Sequence, residues 1–205
     1  MLQSPDQRHL YTIGYATKPR EVFLEQLQRY GIGVVADVRS VPYSRAFHDY
    51  HREALSAALQ QAGIAYVFLG EELGPRSKDA AHYNGDGQVQ FDRLMTSPLY
   101  RQGMERLLTG LGRGYAIALC CAEKDAATCH RSLLIGYEAI RHRGLQVTHI
   151  AHDGSCESQQ DLEKRLPELT GTVADLFTAE DELPALAYRR QLERCAWRRP
   201  GAGIS

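Results

Sequence analysis

The sequence predicts a three-layer α/β domain: a mostly parallel sheet of about five strands flanked by helices, with further helices at the C-terminus. Three observations carry this expectation. Short runs rich in β-branched and aromatic residues alternate with longer segments whose apolar residues recur at helical spacing. Two of the strand candidates, IGVVADVRS (32–40) and GYAIALCCA (114–122), are nearly continuous apolar runs, the pattern of strands covered on both faces. The strand–helix alternation then repeats along the chain, which favours parallel strands joined by crossover helices.

In order, LYTIGY (10–15) is the first strand, closed by Gly14. PREVFLEQLQRYG (19–31) follows as a helix, with Pro19 at its start, Gly31 as its stop, and Val22, Phe23, Leu27 and Tyr30 on one face. After the strand at 32–40 and the turn-like VPYSRAFHDYH, REALSAALQQAG reads as a helix with Leu55 and Leu59 inward, and IAYVFLG (64–70) as a third strand. Residues 71–90 are rich in Gly, Pro, Asn and charge without periodicity, so they are expected to form a long surface loop of the kind that covers a site. FDRLMTSPLYRQGMERLLTGLG gives a short and a longer helix broken at Pro98. GYAIALCCA is the fourth strand, RSLLIGYEAIRHRG (131–144) a helix with Leu133, Leu134, Tyr137 and Ile140 inward, and LQVTHIA (145–151) the fifth strand. The remainder, about 158–199, is a helical extension that packs on the outside.

A chain of 205 residues with no internal repeat or linker is expected to be a single domain over 1–205, large enough to fold without disulfide or metal. The 24 basic and 25 acidic residues nearly cancel, which excludes a global field for nucleic acid or an anionic membrane and leaves only a local patch. No window resembles a membrane span, and MLQSPDQRHLYTIGY has no secretory h-region, so the expected address is the cytoplasm and no membrane partner is expected. The five cysteines are an odd number without framework spacing, and are expected to be reduced thiols.

In a parallel sheet ligands bind at the carboxyl ends of the strands, which directs attention to the segments just after them. Asp37 and Arg39, two apart, project to one side after the second strand, either as a local ion pair or as an acid–base group beside an anion-binding guanidinium. Arg45 in the same loop is a further candidate cation. After the fourth strand, CCAEKDAATCHRS (120–132) separates into three parts. Cys120 belongs to the core, and Cys121 with Glu123 lines the strand exit. Thr128 is expected to cap the next helix, placing Cys129, His130 and Arg131 in its first turn.

Two cations at a helix start oppose the helix dipole unless Glu123 and Asp125 neutralise them or a ligand phosphate or carboxylate completes the site. The same field would lower the Cys129 pKa and make it a nucleophile. Neither Cys121 nor Cys129 begins the cysteine, five residues, arginine loop of a thiol phosphatase, since positions 127 and 135 are Ala127 and Ile135. No cofactor is the first expectation. Zinc is the alternative, on Cys121, Cys129 and His130 with a fourth ligand from His149, His152 or Cys156. His152 is also a candidate acid or base after the fifth strand.

The segments YTIGY, VVADVRSVPYSR, FLGEELGPR, LCCAEKDAATCHRSLL, VTHIAHDG and AYRRQLERCAW together resemble the bacterial and archaeal family catalogued as domain of unknown function 488. The resemblance spans almost the whole chain in the same order. It implies an α/β domain in which Asp37, Arg39, Cys121, Glu123, Cys129, His130 and Arg131 occupy motif positions. Two departures are Pro75, where the family often has a second glycine, and Gln159, near where many members have histidine.

Two functional readings follow. The first is an enzyme or ligand-binding domain for an anionic substrate, such as a nucleotide or nucleic-acid phosphate. Arg39, Arg131 and Arg45 would hold it, and Cys129 or Glu123 would act on it beside His130, Asp37 and Cys121. The alternative is a non-enzymatic module binding nucleic acid or a protein, with a purely structural Cys-His-Arg turn. For that module Trp197 would stack on a base, although packing of its helix is the preferred role for this ring.

Overall fold

The computed structural model describes residues 8–174 and 179–200; residues 1–7, 175–178 and 201–205, the ends and one short piece of the expected domain, lie outside the described residues. Six strands form one sheet: β1 (His9–Gly14), β2 (Val34–Asp37), β3 (Ala65–Phe68), β4 (Ile117–Cys121), β5 (Gln146–Ile150) and β6 (Cys156–Ser158), in the order β3-β2-β4-β1-β5-β6. The first five are parallel and β6 runs antiparallel to β5. The register sets Gly14 opposite Cys121 and Asp37 opposite Cys120, so the ends of β1, β2 and β4 come level at one edge.

Side chains alternate across each strand, and the two faces are covered by different helices. Ile13, Val35, Cys120 and Ile150 pack against Phe23 and Leu27 of α1 (Arg20–Arg29) and Leu55 and Leu59 of α2 (Arg52–Gln61). Val34, Ala36, Leu119 and Val147 pack on the opposite side. There they meet Tyr100, Met104 and Leu107 of α5 (Pro98–Gly112) and Ala139 of α6 (Tyr137–Arg143). This is the expected three-layer α/β arrangement. Successive residues Cys120 and Cys121 therefore face opposite layers: Cys120 is core, where burial pushes its thiol up to about 12.

Four details differ from the sequence reading. The sheet has a sixth strand, β6, too short for its periodicity to register and formed only because the Asp153–Gly154 turn folds it back on β5. The segment 71–90 is not a plain surface loop. It begins inside α3 (Gly70–Leu73), contains a 3-10 turn at Ala80–His82, and buries Leu73, Tyr83, Gln88 and Val89. The Gln88 amide donates to the carbonyls of Glu193 (2.8 Å) and Ala196 (3.1 Å), tying the segment to the end of α8 (Leu183–Cys195).

Thr128 does not cap the following helix, because a 3-10 turn at Ala126–Thr128, capped by Asp125, intervenes. The Cys129 carbonyl takes the first helical bonds instead, from the amides of Ser132 (3.1 Å) and Leu133 (2.9 Å). Finally, Arg131–Gly136 is a π-helical turn, buried throughout, that leads into α6. Such turns cluster at functional sites. The remaining helices are α4 (Phe91–Met95), separated from α5 at Pro98 by the Ser97 cap, and α7 (Gln159–Thr170), which packs on α8.

Candidate functional site

After β2 the chain continues to β3, and after β4 to β5, which lie on opposite sides of the β2–β4 pair. The connections diverge there and leave a crevice at the strand ends. A cleft of about 290 Å³ occupies it, with Cys121, Glu123 and His130 on one wall and Tyr15, Phe47 and Trp197 among the aromatic residues around it.

At the β4 exit Cys121, Glu123, Cys129 and His130 converge, their four ligand-type atoms all within 4.8 Å of one another. The carboxylate Oε2 of Glu123 accepts from the thiols of Cys121 (2.9 Å) and Cys129 (3.0 Å). The His130 Nδ1 lies 3.7 Å from the sulfur of Cys121 and 3.8 Å from that of Cys129. His130 Nε2 donates to the carbonyl of Val38 at 2.9 Å, just beyond β2, which leaves Nδ1 turned toward the sulfurs. β4 thus presents Cys121, the following loop returns Glu123, and the helix start contributes Cys129 and His130 side by side.

The charges in this cluster depend on one another. Burial pushes the Cys129 thiol up, but the Cys121 hydrogen bond, the Arg131 charge and His130 outweigh it, and Cys129 sits well below the ordinary thiol range. Cys121 sits well above that range because of burial, the Cys129 bond and the Cys129 and Glu123 charges. Glu123 is raised by burial and by Cys129, and His130 is raised because Cys129 overcomes its burial. Cys129, whose pKa is lowered, is 1 % exposed and not among the cleft-lining residues, whereas Cys121, whose pKa is raised, lines the cleft.

The other expected site residues fall elsewhere. Asp37 is fully buried, accepting from Arg39 Nε (2.8 Å) and Nη2 (2.5 Å) and from the Tyr66 hydroxyl (2.7 Å). Arg39 reaches the cleft, but with its bonds to Tyr15 (3.1 Å) and the Tyr50 carbonyl (2.8 Å) four of its five N–H groups are used internally. The pair is a closed anchor for the turn after β2. Arg45 is exposed and outside the cleft lining.

Arg131 lines a different cavity, so it and Arg39 do not converge on one anion. Asp125, expected to neutralise the helix start, is bound by Arg165 at 2.6 Å. None of the three expected fourth metal ligands belongs to the cluster. His149 is held between Thr12 (2.8 Å) and Gln159 (2.9 Å), His152 meets Thr17 (3.2 Å), and Cys156 is exposed on β6. Trp197 lies just beyond α8 rather than in a helix, lines the cleft and packs edge-on against Tyr83 with ring centroids 6.0 Å apart.

Sequence reasoning read Gly14 only as the close of the first strand and passed over Lys18. A Cβ on Gly14 would lie 2.0 Å from the Glu123 carbonyl oxygen, so only glycine lets β1 approach the site loop this closely. Lys18 carried no signal, because a lone lysine before a proline reads as a solvated turn.

The family model described as Domain of unknown function DUF488 matches residues 19–138, and the chain belongs to that family. The match includes all four cluster residues together with Asp37, Arg39 and Arg131, and ends before β5. No curated protein and no solved structure matches the chain.

Proposed function

We propose that this chain is a metal-dependent hydrolytic enzyme, with zinc held by Cys121, Cys129, His130 and Glu123 beside the cleft. The convergence of four ligand atoms within 4.8 Å carries this reading. With zinc–sulfur bonds of about 2.3 Å and zinc–nitrogen bonds of about 2.0–2.1 Å, a tetrahedral site has sulfur–nitrogen edges of roughly 3.5 Å. The 3.7 and 3.8 Å separations here come within a few tenths of an ångström of that edge. The Val38 carbonyl on His130 Nε2 supplies the outer hydrogen bond that metal-bound histidines usually make.

Structural zinc sites are closed, whereas catalytic ones keep an exchangeable position. The Glu123 carboxylate is screened by the two thiols, but the residue as a whole is the most open of the four and lines the cleft, so it would be the ligand able to give way to water and accept a proton. The metal would supply an activated water near neutral pH. The protein's own groups hold the centre in place, and the aromatic wall limits solvent around a small substrate.

The anionic-substrate reading loses its expected carriers at the cleft. Arg39 is paired with Asp37, and of the lining cations Arg76, over the Trp197 ring, stands exposed at the mouth. Thiolate attack by Cys129 is disfavoured by its burial.

Purified protein should contain about one zinc per chain by elemental analysis, and cobalt replacement should give a thiolate charge-transfer band. Cys129→Ser should lower zinc affinity by about 100-fold or more, in line with the loss of a ligand. Hydrolysis of p-nitrophenyl acetate should stop on chelation and fall about 100-fold or more in Glu123→Gln, the loss expected for a general base. Protein that stays metal-free in zinc, or hydrolyses equally well after chelation, would sink the reading.

A further inference from the structure

On the other side of the β4 exit from the cleft, a cavity of about 480 Å³ opens between the ends of β4 and β5. Arg131 lines it, with Lys124 and His152 also on its wall. Arg131 is 1 % exposed: Nη1 donates to the Glu123 carbonyl at 2.7 Å, Nη2 to that of Lys124 at 3.4 Å, and the buried Nε–H has no partner. Beside the cavity Lys18 is 3 % exposed, donating to the Gln26 side chain and, at 3.3 Å, to the carbonyl of the wall residue Ala151.

Buried cations are normally paired with a carboxylate, because an uncompensated charge away from water is costly. Among the described residues Lys18 donates only to neutral oxygens and forms no ion pair; Arg131 has no carboxylate within ion-pair distance and donates to two carbonyls, with the Cys129 sulfur and the Glu123 charge beside it as partial compensation. They also repel each other. Burial first, and then the Arg131 charge, lowers Lys18 to about 8. The acidic groups of the wall are already engaged: Asp125 and Glu157 each hold Arg165 at 2.6 Å, and Asp153 accepts from Ser155 at 2.7 Å. Cys129 and Glu123 partly offset Arg131, and Asp153 only partly offsets the burial of Lys18, which leaves Lys18 the under-compensated cation beside the cavity. Thr17, whose hydroxyl lies 3.2 Å from Nε2 of the wall residue His152, has φ 60°, a left-handed conformation that a β-branched residue rarely adopts.

We propose that this second cavity is a binding site for a tetrahedral oxyanion, phosphate first, held by Lys18, Lys124, Arg131 and His152. The site is separate from the cleft and does not depend on the metal reading. It takes either free phosphate or the phosphate group of a larger ligand.

The test is titration of inorganic phosphate into the full chain in a phosphate-free, low-salt buffer, followed by amide NMR shifts. Saturable binding should appear, with shifts centred on residues 16–18, 124–126 and 151–153. Lys124→Gln and Lys18→Met should each weaken it about tenfold, the equivalent of about 1.4 kcal/mol. Arg76→Gln, which removes the exposed cation lining the cleft, should leave it unchanged, which separates this cavity from the cleft. A nucleoside monophosphate that binds more tightly than phosphate assigns the cavity to a phosphate ester, and equal or weaker binding assigns it to the free ion. Absence of saturable phosphate binding, or binding undiminished in both lysine variants, overturns the proposal.

Discussion

His149 is buried with both ring nitrogens engaged, and Gln159 fixes how. The Gln159 amide nitrogen donates to Glu163 at 3.0 Å, so its oxygen faces the ring; His149 Nε2 is then the donor and Nδ1 accepts from Thr12. Burial, followed by the Arg131 charge, lowers this histidine from 6.5 to about 4; Arg165 acts in the same direction and Cys129 in the opposite one. Above pH 6.5 the ring is neutral folded or unfolded and adds no pH dependence. Below it the unfolded chain takes a proton that the folded one refuses until about pH 4. Stability is therefore lost as pH falls through that window, by up to about 3 kcal/mol at 1.36 kcal/mol per pKa unit. Urea unfolding of the wild type and His149→Gln across the window should show the difference between them shrinking toward pH 4. Parallel curves would mean that this histidine does not titrate as described.

The exit of β4 is where local sequence and tertiary packing act together, and Gly14 shows how. It sits opposite Cys121 in the register, and its missing Cβ leaves room for the Glu123 carbonyl and, 3.0 Å away, Arg131 Nη2. Gly14→Ala should destabilise the protein by about 1–3 kcal/mol, the usual cost of overpacking. It should also weaken zinc binding, because the displaced carbonyl belongs to the residue whose carboxylate joins Cys121 and Cys129. Thermal melts with a zinc-chelator competition would detect both effects; a loss of stability with intact zinc affinity would mean that the loop shifts without moving the ligands. Cys121, Glu123, Cys129 and His130 were all legible as candidates, because strand alternation and the strand-end rule depend only on local pattern. Their convergence was not legible. It depends on a 3-10 turn inside AEKDAATC and on a hydrogen bond from His130 to the carbonyl of Val38, just beyond β2, neither of which periodicity encodes. For the same reason Glu123, rather than a residue after β5, emerged as the fourth member of the cluster only from the folded chain.

At the scale of the molecule, the five long strands and their covering helices were readable because each buries a continuous or helically spaced apolar set. The short β6 and the partly buried 71–90 segment were not, because each depends on partners distant in sequence, whereas the ion pair of Arg39 with Asp37 was one of the two readings their spacing allowed. Cys121 and Cys129 are only two members of the large apolar core on one face of the sheet, and the other face has its own core, so a metal centre would reinforce the fold rather than create it. Its ligands join the β4 exit to the helix start, and His130 carries the link on to the end of β2. A ligand that binds only the folded chain stabilises it by about 2.7 kcal/mol at a hundredfold excess over its Kd. For a domain of this size each kcal/mol is worth roughly 2–4 °C, so zinc should raise the melting temperature by about 5–11 °C. Chelation should lower the midpoint by that amount while leaving a single cooperative transition and the far-UV spectrum of an α/β protein. A midpoint unmoved by zinc and chelator would argue against a metal centre, and a chelated chain with no folding transition would show that the sheet and its helices cannot stand without it.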